Sequence, residues 1–138
     1  MTATILLVDS MAAYRARVAA RLAELGLGVV EAGGAEEAER AARSESFAVA
    51  VIDDDLADGR GERLVERLRA NGDAGELLLV VGPERGGGDL AELAARAGVA
   101  EVIAGPVHLE ALARAAARRA AATGFELPRD AAPGAGGG

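Results

Sequence analysis

Short apolar runs alternate with longer amphipathic ones along the chain. Ile5 to Val8 is a four-residue apolar run, closed by Asp9 and Ser10. A helical spacing follows: Tyr14, Val18, Leu22 and Leu25 recur three or four residues apart, with Arg15, Arg17, Arg21 and Glu24 between them. Gly26 is a helix stop. Gly28 to Ala32 reads as a second strand. Gly34 to Arg43 reads as a helix with acids near its start and bases near its end, as the helix dipole favours. The third strand, Phe47 to Ile52, runs straight into aspartates. Gly61 to Ala70 is a helix with Leu64, Val65 and Leu68 on one face, and Leu77 to Val81 is a fourth strand. The segment GPERGGG reads as a flexible connection, followed by a helix from Asp89 to Gly98. Val99 to Gly105 holds a short fifth strand, and Leu109 to Ala122 is the last helix.

Five strands, each followed by one helix, predict an α/β domain. The strand LLLVV is apolar throughout rather than alternating, which marks a strand covered on both faces. The expected architecture is a doubly wound parallel sheet with helices on either side. Residues 1–123 form this domain. Residues 124–138, rich in Pro, Gly and Ala without periodicity, read as a flexible tail or as a linker to a further domain.

Composition narrows the possible functions. The chain has 138 residues, 51% of them hydrophobic but only 2% aromatic, so its core must come from Ala, Val, Leu and Ile. It has no Cys, which excludes disulfides, thiolate metal sites and cysteine nucleophiles. No apolar run has the length of a membrane span, and MTATILLVDS lacks the pattern of a signal peptide, so a cytoplasmic location is expected. A net charge of -7 argues against a nucleic-acid partner, which needs a basic face. All 15 basic residues are Arg. The absence of Lys excludes Schiff-base chemistry and a Walker-type phosphate loop.

The chemistry concentrates in VIDDDLADGRG, Val51 to Gly61. Open α/β sheets bind ligands beyond the carboxyl ends of their strands, where strand order reverses. For the order 2-1-3-4-5 that point lies between the first and third strands, which end at Asp9 and Asp53. Converging carboxylates there suit a hard divalent cation such as Mg²⁺. A carboxylate beside Mg²⁺ can also attack phosphorus to form an aspartyl phosphate. Asp54 and Asp55 read as solvated loop carboxylates. His108, the only His, reads as a surface or capping residue, which leaves a zinc site unsupported. Tyr14 reads as a core residue of the first helix.

In ILLVD, FAVAVIDDDLADGRG and EVIAGPVHLEAL, the chain resembles the receiver domain of two-component response regulators, over about Thr4 to Ala121. The resemblance implies a flavodoxin-like, CheY-like fold with five helices. It implies Asp53 as phosphoacceptor, with Gly61 eight residues later as in the family. It further implies Mg²⁺ held by Asp9, Asp53 and the backbone carbonyl of Asp55. Pro106 matches the proline after the fifth strand, which typically follows a cis bond, and Gly98 matches the glycine before that strand. The implied partners are a histidine kinase or phosphotransfer protein, other signalling proteins or an output domain, and a second copy of the chain.

Several family positions are altered. The second acid after the first strand is Ser10, a poor Mg²⁺ ligand. Val81 stands where a hydroxyl bonds the phosphoryl group, and Gly105 where a Lys pairs with it. Val102 replaces the switching aromatic, and Ala57 a proline. Loss of one charge-assisted donor costs phosphoryl transfer roughly 3 kcal/mol, on the order of a hundredfold in rate. Arg85 is the nearest base in sequence that could compensate. The alternative expectation is therefore a pseudo-receiver, an interaction module that works without phosphorylation.

Overall fold

The computed structural model describes residues 3–72 and 75–124. The five expected strands are β1 (Thr4–Val8), β2 (Gly28–Ala32), β3 (Val49–Asp53), β4 (Glu76–Val81) and β5 (Glu101–Ala104). The five expected helices are α1 (Ala12–Glu24), α2 (Ala35–Ser44), α3 (Gly61–Ala70), α4 (Leu90–Ala97) and α5 (Leu109–Ala122). The strands form one parallel sheet in the order β2-β1-β3-β4-β5. This is the flavodoxin-like arrangement the alternation predicts. The expected tail beyond residue 124 lies outside the described residues.

The apolar strands divide their side chains between two layers, because successive residues point to opposite faces. Ile5, Leu7, Val49, Val51 and Leu78 face α1 and α5. Leu6, Val8, Ala50, Ile52 and Leu79 face α2, α3 and α4. Both layers are buried, which explains why the strand sequences do not alternate. Small side chains let α5 approach closely: Ala113, Ala116 and Ala120 are fully buried. With so few aromatics, the core is aliphatic, as the composition requires.

Two segments depart from expectation. Within GPERGGG, Pro83–Gly86 forms one turn of helix. Proline at a first helical position is already near the required φ, and Arg85 is anchored by ion pairs described below. The residues after β3 are not a plain loop either. Asp55–Leu56 pairs antiparallel with Gly59–Arg60 in a short hairpin. Leu56 is buried beneath it, and Gly59 adopts a positive φ of 143° that side chains disfavour.

Other expectations hold. Gly98 ends α4 in the left-handed conformation, with φ 73°. His108 caps α5, its Nδ1 accepting from the Glu110 N–H at 3.2 Å. The Gly105–Pro106 bond is cis.

Gly61 opens α3 against the end of β3. A Cβ there would overlap the Asp53 carbonyl oxygen and lie 2.8 Å from Asp54 Cα and 2.9 Å from Ile52 Cγ2. The spacing between Asp53 and Gly61 is thus a packing requirement. Gly61→Ala is expected to destabilise the fold by about 1–3 kcal/mol. Urea unfolding checks this, and an unchanged midpoint would contradict the packing.

Candidate functional site

β1 and β3 run side by side in the register Val8↔Ile52, so Asp9 and Asp53 emerge together at the carboxyl edge of the sheet. Both line a cavity of about 420 Å³. Asp9 is almost buried, at 9% exposure. Its Oδ1 accepts from the Met11 N–H at 2.8 Å. Asp53 is half-buried, and its pKa is pushed up to about 6. Loss of solvent is the main cause, followed by repulsion from Asp9. A hydrogen bond from the Asp55 backbone pulls the other way, and the charges of Asp55 and Asp54 add to the rise.

No basic side chain lines the cavity among the described residues. The nearby arginines are engaged elsewhere. Arg15 donates to the Asp9 backbone carbonyl at 2.6 Å and to Glu31 at 3.0 Å. Arg85, the nearest base in sequence that could compensate for the missing Lys, pairs with Asp54 at 2.8 Å and Glu62 at 3.1 Å. The walls around Asp53 are instead Val80, which pairs with it across the strands, Gly105, Pro106 and Val107, with Val81 at the strand end. Val81 and Val102 are also buried in the core layer facing α4.

The remaining aspartates have separate structural tasks. Asp54, expected from sequence to be a solvated loop carboxylate, is instead buried, at 3% exposure. Its Oδ2 accepts from Arg60 at 2.6 Å and Arg85 at 2.8 Å, and its Oδ1 from the Glu62 N–H at 3.0 Å. One carboxylate therefore joins the hairpin, the start of α3 and the turn after β4. Only the carboxylate of these pairs is buried, and leaving a buried acceptor short of a partner typically costs about 1–3 kcal/mol. Asp55 is exposed, as expected, at the cavity rim. Asp58 accepts from the Ala35 and Glu36 N–H groups at 2.8 and 3.1 Å. These bonds lower its pKa and cap α2, whose own N-cap is Gly34.

Ser10 is also engaged structurally. Its hydroxyl donates to the Gly33 carbonyl at 3.1 Å and accepts from the Ala57 N–H at 2.9 Å. Tyr14, expected only as core, lines the cavity and donates to the Val107 carbonyl at 2.7 Å. Its pKa is raised by burial and by Asp9 and Asp53.

Among the described residues, no group of three or more Asp, Glu, His or Cys side chains is arranged to hold a metal ion. The donor set facing the cavity is two carboxylates, with Asp55 at the rim. Such a set fits Mg²⁺, which is commonly bound by one or two carboxylates and keeps several waters. The unrelieved repulsion between Asp9 and Asp53 favours a cation between them.

No family model and no curated protein sequence matches the chain. Solved structures do match. A CheY-like response regulator receiver domain protein of Methanospirillum hungatei has 23% identity and TM-score 0.76, with 90% of this chain and 98% of that one covered. The chemotaxis protein CheY4 of Vibrio cholerae has 22% identity and TM-score 0.72, over 86% and 98%. A response regulator protein of Burkholderia pseudomallei, solved with a phosphorylated aspartic acid, a calcium ion and citrate, has 22% identity and TM-score 0.68, over 88% and 71%. The chain thus has the fold of response regulator receiver domains.

Folding raises the pKa of Asp53, so the folded chain holds this proton where the unfolded chain has lost it. Asp53 therefore favours the fold most below the ordinary carboxylate range, and that contribution declines as pH rises through about 6. Asp53→Asn removes the penalty of ionisation. It is expected to stabilise the protein by about 1 kcal/mol near neutral pH, after allowance for solvent screening. The gain should shrink as pH falls towards about 4. Unfolding of both proteins across this range checks the sign; an Asn variant less stable at neutral pH would contradict it.

Proposed function

We propose that the chain is a receiver-type module of two-component signal transduction, with Asp53 as the acceptor of a phosphoryl group. The observation that carries this reading is the position of Asp53 at the end of the central strand, facing the same cavity as Asp9. The donor is a phosphorylated histidine of a kinase or phosphotransfer protein, and the expected compartment is the cytoplasm. An Asp53 carboxylate oxygen attacks phosphorus in line, the P–N bond breaks, and the imidazole leaves with its electron pair and takes up a proton. Asp53 must be ionised to attack, a condition met above about pH 6. Mg²⁺, held by Asp9, Asp53 and the Asp55 carbonyl, would neutralise charge on the transferring group. The phosphorylated aspartic acid and calcium ion of the Burkholderia pseudomallei protein support the same assignment by likeness.

Val81 and Gly105 offer no hydroxyl or cation to the phosphoryl oxygens, so the transfer is slow. Each missing donor reduces the rate by roughly a hundredfold. A second reading rests on the Asp54–Arg85 pair. It ties the turn after β4 to the hairpin with no group that senses Asp53, as suits an interaction module independent of phosphorylation. That module would bind a signalling protein, an output domain or a second copy of the chain.

Intact mass after incubation with Mg²⁺ and a small phosphodonor separates the readings. The phosphoacceptor reading predicts a slow gain of one phosphoryl group, absent in Asp53→Asn. Val81→Thr, close to isosteric, should accelerate the gain by about tenfold or more. No adduct in either the wild type or Val81→Thr would overturn this reading and leave the interaction module.

A further inference from the structure

The cavity at Asp53 has more room, and a more apolar wall, than two carboxylates and a hydrated ion account for. Its volume is about 420 Å³. It falls within the range of ~300–1,000 Å³ typical of small-molecule sites. Val80, Pro106, Val107 and Leu112 line it together with Tyr14 and Met11. Met11 is 69% exposed and is the only large hydrophobic side chain so exposed among the described residues. An unbranched, adaptable side chain left in water at a cavity mouth suits contact with a bound apolar body.

Charge defines the other half of the ligand. The polar floor is Asp9 and Asp53, with Asp55 at the rim, and no basic side chain lines the cavity among the described residues. Burying these carboxylates without a countercharge is unfavourable, and a ligand cation relieves it.

We propose that the cavity binds a small organic cation, a primary ammonium or amidinium group on a short apolar body. The cationic head lies between Asp9 and Asp53, and the body runs along Val80, Pro106 and Val107 towards Met11. Head and body use different parts of one cavity, so an alcohol or a carboxylate of the same length satisfies only half of it. Because the carboxylates are shared, Mg²⁺ and the organic cation compete. The binding requires no phosphoryl transfer, so it stands or falls separately from the acceptor role of Asp53.

The test uses the full chain in metal-free buffer with chelator and no phosphodonor. Hexylamine and benzamidine are titrated by calorimetry and by backbone amide shifts, with hexanol and hexanoate as neutral and anionic counterparts. The proposal predicts saturable amine binding, about tenfold or more tighter than hexanol, with shifts at Met11, Gly105 and Val107. Hexanoate should not saturate, and excess Mg²⁺ should displace the amine. Asp53→Asn should weaken hexylamine by about tenfold or more. Val107→Phe, which narrows the cavity but keeps both carboxylates, should weaken it as well. Glu66→Gln, on the exposed face of α3, should leave it unchanged. Equal binding of hexylamine and hexanol would overturn the charge assignment. Amine binding unaffected by both Asp53→Asn and Val107→Phe would place it elsewhere and overturn the site. No saturable binding of either cation would overturn the proposal outright.

Discussion

Two carboxylates at the ends of neighbouring parallel strands, with no base among the described residues lining the cavity to neutralise them, are the constraint on which the site depends. The register of β1 and β3 fixes Asp9 beside Asp53. Burial and mutual repulsion then raise the pKa of Asp53 to about 6. Nothing in the aliphatic core relieves this, because the surrounding arginines serve other acids. The site is held in an unfavourable electrostatic state by a sheet whose two buried layers do not depend on it.

The crowding in VIDDDLADGRG resolves into a division of labour. Asp53 faces the cavity, Asp54 anchors Arg60 and Arg85 beneath the hairpin, and Asp58 caps α2. Ser10 adds a bridge from the loop after β1 to Gly33 and Ala57. The loops around the cavity are thereby fastened to one another. In particular, the turn after β4 is tied through Arg85 to a neighbour of Asp53 rather than to Asp53 itself. Val81 offers no side-chain hydroxyl through which a group bound at Asp53 could pull on that turn.

Much of this was legible in the sequence. Apolar runs and helical spacing located all ten main elements, and the Asp53–Gly61 spacing reflected a close approach of backbone to backbone. His108 as a cap and Gly98 as a helix end followed from local chemistry. Burial of Asp54 did not, because three consecutive acids give no hydrophobic contrast. Strand alternation did carry a signal: residues 53 and 55 share a face, so Asp54 had to turn the other way, towards the layer of α3. Its partners could not be read, since Arg85 is 31 residues distant. The turn at Pro83 was hidden by its glycines, and the cavity by the fact that Val81, Gly105 and Val107 are ordinary residues until they are brought together.

The ionisation of Asp53 tests the central claim most directly. Side-chain carboxyl shifts, followed by NMR across the acidic range in metal-free buffer, report it site by site. The account predicts an Asp53 midpoint near 6, lowered when Asp9→Asn removes the neighbouring charge. A midpoint at the ordinary aspartate value of about 3.9, unchanged in Asp9→Asn, would show that the two carboxylates do not share a dehydrated cavity and would contradict the account.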